Sequence, residues 1–258
     1  MMSTDFGLWD ALLITIVALQ ATVLAYVYHP KWKAFMLTLP LPFTVAVLAV
    51  NRPIDATNVL GLILLLCFTH GVRILYTGLR VPIVLAILIA AGGYCLIGTS
   101  LAAVVPQSEI VFWTSCAVTV GFAFILLRVL PYREEPGHRT PLPVWLKLPL
   151  IVGVVMFLLL LKKSLHGFTT MFPMVGLIGA YEARHSLWTT GRQMPAIMLL
   201  MVPLIATLRL TQGTLGIGPA LVLGWMVFLL VLIPVTRFMW DSSRVKAAKP
   251  QSNLLTES

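Results

Sequence analysis

Three ionisable side chains crowd one stretch of an otherwise apolar chain, Tyr181-Glu182-Ala183-Arg184-His185. Glu182 and His185 are three residues apart and share one face of a helix. His70 and Arg73 have the same spacing 112 positions earlier, so that His70 aligns with Glu182 and Arg73 with His185. In low dielectric, a His–Glu pair can carry a proton or hold a polar headgroup. Arginine beside it would keep Glu182 ionised or grip an anion in its fork. The plainer reading is a helix-end ion pair whose long side chains reach water. Pro173 is the other feature with chemical consequences. It removes a backbone hydrogen bond and kinks a helix, and Gly176, Gly179 and Ala180 behind it permit close approach. A kinked helix beside a pocket exposes backbone to a solute, although many prolines in membrane helices are only structural.

These residues need elements to hold them, and the composition says which kind. Hydrophobic residues make up 59% of 258 positions and charged residues 10%, with a mean hydropathy of +0.96. A soluble domain carries about 25% charged residues and could not bury so much apolar surface on every helix face. The chain reads as an all-α polytopic transmembrane bundle of nine helices. They are expected at 6–28, 34–50, 57–79, 81–105, 109–130, 148–161, 167–188, 194–210 and 215–238, most of them long enough to cross a hydrocarbon core. The first run lacks basic flanking residues and is too long for a cleaved signal, so it reads as a retained helix.

Nine crossings place the termini on opposite sides. With the N-terminus outside, 14 of the 18 basic residues fall on one face of the membrane, leaving Arg52, Lys162, Lys163 and Arg209 on the other. That asymmetry predicts an N-out, C-in orientation, and the compact chain with short loops suits a cell inner membrane. Trp32, Trp145, Trp188 and Trp240 fall near predicted cytoplasmic ends as interfacial anchors. The net charge of +9 then belongs to helix ends facing anionic lipid rather than to nucleic acid.

A weak internal repeat is also present. At an offset of 112, Thr57 meets Thr169, Tyr76 meets Trp188, Arg80 meets Arg192 and Trp113 meets Trp225. It predicts an extra first helix (1–30), a four-helix repeat (31–130), a cytoplasmic linker (131–147), a second repeat (148–240) and a polar tail (241–258). Two four-helix repeats would be parallel, related by an axis along the membrane normal. Under that symmetry His70 and Glu182 would face each other, flanked by Arg73 and His185.

The run Phe172-Pro173-Met174-Val175-Gly176-Leu177-Ile178-Gly179-Ala180-Tyr181 reads F-P-x-x-x-L-I-G-x-Y and follows a Leu-rich segment ending in Lys162, Lys163 and Ser164. It resembles the GlpM-like small inner-membrane proteins, which have F-P-x-x-x-L-I-A-x-Y after a similar helix. The resemblance spans roughly Ile151 to Met201. The first half departs from it, with Leu60-Gly61 in place of Phe-Pro. It implies a tandem-duplicated unit and a link to export of an acidic exopolysaccharide. It supplies no catalytic residue.

Several classes of chemistry lack their residues. No HExxH, paired aspartates or Gly-x-Ser-x-Gly occurs. Cys67, Cys95 and Cys116 stand singly in apolar runs without metal spacing. Gly213, Gly216 and Gly218 lack the strand-loop-helix setting of a phosphate loop. No metal or other cofactor is expected. Arg52, Asp55, Asn58, Lys162, Lys163 and His166 could form a basic outer mouth, the alternative being interfacial snorkelling. The leading expectation is a small transporter or translocation component for an anionic or lipid-linked solute. Its candidate site is His70, Arg73, Glu182, Arg184 and His185, with the kink at Pro173. The alternative is a non-catalytic subunit or scaffold, partnered by another membrane protein or a second copy. A membrane-embedded enzyme ranks third.

Overall fold

A computed structural model describes residues 7–131, 135, 149, 153 and 165–248. Most of the expected sixth helix, Lys162, Lys163 and most of the linker and tail lie outside the described residues. Among those described, all regular structure is helical.

The chain runs through α1 (Leu8–Tyr26), α2 (Pro30–Thr38), α3 (Leu41–Val50) and α4 (Ala56–Arg73), which ends in a π turn (Ile74–Gly78). Next come α5 (Ile83–Val104), α6 (Glu109–Val129) and a 3-10 turn (His166–Met171). The chain closes with α7 (Met174–Glu182), α8 (Leu187–Arg192), α9 (Met194–Leu215) and α10 (Ile217–Ala248). Five helical stretches are long and apolar enough to cross a membrane: Ala56–Gly78, Ile83–Val104, Glu109–Val129, Leu187–Leu215 and Ile217–Arg237. Leu8–Leu24 and Phe35–Val50 are apolar but shorter. Outward faces carry Leu88, Leu96, Ile125 and Leu230, all exposed. Such surfaces require lipid as the surrounding solvent, and the protein is a multi-pass membrane protein.

α4 is the central wall. Leu64, Phe68 and Val72 recur every four residues and pack into one apolar cluster with α1, α5 and α7. Val59, Leu62 and Leu66 point into a second, shared with α6, α9 and α10. A helix apolar on two faces is buried between two layers. α5 and α6 both pack on α4, while α9 lies along α10 and against α6.

Two expected helices are broken. The segment 34–50 is interrupted at Leu39-Pro40, giving α2 and α3. Pro40 has no N–H to offer the carbonyl of Met36, four residues earlier, and Pro42 likewise fails Thr38. The segment 167–188 divides into the 3-10 turn, α7 and α8. Pro173 removes the bond to Thr169, whose carbonyl accepts instead from the Phe172 N–H at 3.3 Å.

A polar seam holds the second break against α4. Asp55 caps α4, its carboxylate accepting the Thr57 N–H at 2.7 Å, and Asn58 Oδ1 accepts the Asp55 N–H at 2.8 Å. This is a reciprocal capping box. The other end of Asn58 is used as well. Its Nδ2 donates to Thr170 Oγ1 at 2.9 Å and to the Gly167 carbonyl at 3.4 Å. Tyr94 donates its hydroxyl to the Phe168 carbonyl at 2.9 Å. Gly167 must be glycine for space: a Cβ there would meet Asn58 Oδ1 at 2.7 Å.

Gly167→Ala should therefore lower stability by about 2 kcal/mol or more, because caps and buried amides must move. Gly213→Ala, with nothing near a new Cβ, should be neutral. Thermal unfolding in one detergent compares the two. Equal midpoints would contradict the seam.

Candidate functional site

Both breaks line one cavity of about 110 Å³. Thr38, Pro40 and Phe43 line it from the first break and Phe172, Pro173 and Gly176 from the second. The middle and C-terminal half of α4 (Leu62 to Thr69), the start of α9 and Gln20 of α1 complete the lining. Among the described residues the lining is mostly apolar and includes no Asp, Glu, Lys, Arg or His.

The breaks give this cavity its polarity. α3 and α7 both start at its wall, and no side chain caps either start. The first-turn N–H groups of a helix have no acceptor within the helix, and the helix dipole adds partial positive charge there. Hydrogen bonds already formed fix the remaining polar groups. Gln20 Nε2 donates at 2.7 Å to the Met36 carbonyl that Pro40 leaves unserved. Thr38, Thr69 and Thr170 donate their hydroxyl hydrogens to backbone carbonyls of Phe35, Leu65 and Gly167. The Met174 N–H is already taken by the Phe172 carbonyl at 2.7 Å and Pro42 has none, so the lining residues at the two helix starts whose N–H groups take no backbone acceptor among the described residues are Phe43, Val175 and Gly176.

Of the residues singled out from sequence, Pro173 lines the cavity together with Gly176 and Ala180 behind it, and none of the five charged candidates is in the lining. The charged candidates lie elsewhere. His70 packs against α8, where a Cβ on Gly191 would meet its ring at 3.0 Å. Arg73 stacks its guanidinium on the Trp188 ring, 4.6 Å from the centroid. Arg184 folds back on Tyr181, 5.0 Å from that ring, and donates to its carbonyl at 3.3 Å. Glu182 is fully buried at the end of α7, and it, like His185, is engaged by an interaction within the protein. His185 itself is exposed. No described contact joins His70 to Glu182; the short helix α8 occupies the face of His70 instead.

Trp188, expected as an interfacial anchor, is tied into a latch. Its Nε1 donates to the Pro131 carbonyl at 3.0 Å. The Glu135 carboxylate accepts the N–H groups of Trp188 at 3.2 Å and Thr189 at 2.6 Å, and so caps α8. The expected outer mouth is corrected in part: Asp55 serves as a cap and Asn58 is buried. Arg209 instead ties that end together, donating Nε to Glu109 at 3.1 Å and Nη1 to the Ile54 carbonyl at 2.8 Å. Gln212 accepts the Ile54 N–H at 2.8 Å. Sequence reasoning missed Gln20, Glu135 and Gln212, whose roles depend on segments distant in the chain. Among the described residues, no three His, Cys, Asp or Glu side chains converge as a metal would need.

Comparison with protein-family models, with curated proteins and with solved structures found no match.

Glu135→Ala should destabilise the protein by about 1.5–3 kcal/mol, the range for hydrogen bonds to a charged group, and Glu135→Gln by less. The midpoint of thermal unfolding reads both. An unchanged midpoint in Glu135→Ala would show that the latch contributes nothing.

Proposed function

We propose that the protein is a small transporter or translocation component for a lipid-like or lipid-linked solute, and that the cavity between the broken helices is its site. The observation that supports this reading is that two helix starts with no side-chain cap among the described residues both border one mostly apolar cavity. Discontinuous helices whose N-termini point at a solute are a recurring device of secondary transporters. The apolar lining suits a hydrocarbon body. The helix starts suit an acceptor oxygen of its head, each contributing about 0.3–1 kcal/mol and up to about 2 kcal/mol when partly buried.

The anionic part of the expectation rests on those dipoles and on the charged cluster beside the cavity. Thr69 is in the lining and Arg73 is one turn further along α4; Leu187 is in the lining and Trp188 follows it. In this reading His70, Arg73, Glu182, Arg184 and His185 form a polar rim that a headgroup crosses, and Pro173 sets the break. The rim faces the cytoplasm of an inner membrane if the positive-inside asymmetry sets the orientation.

The tandem origin and the likeness to GlpM-like proteins belong to the same proposal. Shifted by 112, α5 covers 195–216 and so overlays α9, α6 falls within α10, and Asn58 bonds the residue 112 positions on, Thr170. The halves pack differently, however: α9 and α10 lie side by side, whereas α5 and α6 part around α4. Two copies of one sequence would then have diverged in tertiary arrangement.

The test reconstitutes the full chain in phosphatidylcholine vesicles with a short-chain, fluorescently labelled phosphatidic acid. Exchange between leaflets is read by quenching with an impermeant reductant. The protein should accelerate exchange about tenfold or more, a change of about 1.4 kcal/mol in the barrier. Ala180→Leu, which fills the cavity, should return it to the protein-free rate. Glu182→Gln should slow it with unfolding unchanged. No acceleration by the wild-type protein, or full activity in Ala180→Leu, would contradict the reading.

A further inference from the structure

Gln20 narrows the class of head that the cavity can take. Its residue is 7% exposed and lines the cavity. Its amide orientation is fixed, because Nε2 must face the Met36 carbonyl, where an oxygen would be repelled. Oε1 therefore points away from that bond, is buried, and meets no donor among the described residues. A buried acceptor left unsatisfied costs about 1–3 kcal/mol. The neighbouring hydroxyls cannot relieve it, since Thr38, Thr69 and Thr170 have each committed their hydrogen to a backbone carbonyl. Gln193, near the start of α9, has the remaining side-chain N–H groups of the lining and is half-exposed.

The cavity thus presents two opposite demands. At the starts of α3 and α7 the N–H groups of Phe43, Val175 and Gly176 take no backbone acceptor among the described residues, the Met174 N–H being already bonded to the Phe172 carbonyl; Gln20 Oε1 needs a donor. A fully ionised carboxylate meets the first and repels the second. An ammonium meets the second and repels the first. An ether or ester meets the first alone. A head with an O–H meets both, because its oxygen accepts while its hydrogen donates.

Resting on the reading of the cavity as the solute site, we propose that its ligand is an amphiphile whose head carries an O–H, donated to Gln20 Oε1, with its oxygen at the helix starts. A hydroxyl and an oxyacid that keeps one proton share this chemistry. The charge-free lining and the apolar walls place the hydrocarbon part in the same cavity.

Binding is tested on the full chain in nanodiscs, separately from transport. The probe is a medium-chain alcohol carrying a photoreactive diazirine, with labelled peptides identified by mass spectrometry. Labelling should fall on 37–43 and 170–176. Unlabelled alcohol should compete, and its methyl ether should compete about three- to tenfold less well, the worth of one net hydrogen bond. The matching fatty acid should compete at about pH 5, where much of it is protonated, and lose that ability at about pH 8. A hydroxyl ligand is indicated if the alcohol outcompetes the protonated acid, and an oxyacid if the order is reversed. Gln20→Leu should abolish the difference between alcohol and ether. Should that variant fail to fold, the alcohol, ether and acid series on the wild-type protein decides alone. Ether binding equal to alcohol, or carboxylate binding undiminished at about pH 8, would overturn the proposal. Specific labelling without leaflet exchange would overturn the transport reading and leave this one standing.

Discussion

A backbone group in lipid has no water to fall back on, and this structure is arranged around that constraint. Each broken carbonyl or N–H must find a partner inside the protein or remain at a cost of kcal/mol. Pro40, Pro42 and Pro173 create such groups deliberately close together. The surrounding elements then answer them one by one. Gln20 serves the Met36 carbonyl, Phe172 serves Thr169, and Tyr94 serves Phe168. Asn58 joins the cap of α4 to the turn before Pro173, so the central helix and the second break are fixed by one side chain. One acceptor left without a described partner, Gln20 Oε1, belongs to the cavity lining.

This separates the site from the charged residues. In an aqueous protein the Glu182 to His185 cluster would be the natural centre of chemistry. Here Arg73 and Arg184 lie on aromatic rings, while the cavity lining among the described residues is uncharged and includes Gln20. Partial charges from helix ends can bind a polar head without the desolvation cost of a full charge in low dielectric. Ordered clamps lie at both ends of the bundle. Arg209, Glu109 and Gln212 hold the α3–α4 loop, and Glu135 with Trp188 holds α8.

The sequence carried the coarse architecture through length and apolarity alone. The spans near Ile83–Val104 and Glu109–Val129 match the expected bounds within about two residues, because lipid-facing helices are apolar all round. Pro173 was legible as a break, and it does line the cavity. Pro40 and Pro42 were present to be seen, yet the apolar run through them reads as one helix when hydropathy is weighed above backbone donors. Gln20 was illegible for another reason: a lone amide in a first helix gains meaning only when Met36 is beside it. The His70–Glu182 pairing assumed that both halves pack alike. α8 breaks that assumption, since Gly191 lets the helix close on the His70 ring.

Two helix starts without side-chain caps border one mostly apolar cavity in a lipid-embedded protein. A cryo-electron map of the protein in lipid nanodiscs tests that most directly. The account predicts chain breaks at Leu39-Pro40 and Phe172-Pro173 bordering the cavity, with elongated non-protein density in it reaching Gln20. Continuous helices through either proline, or a cavity filled by the protein's own side chains, would contradict it.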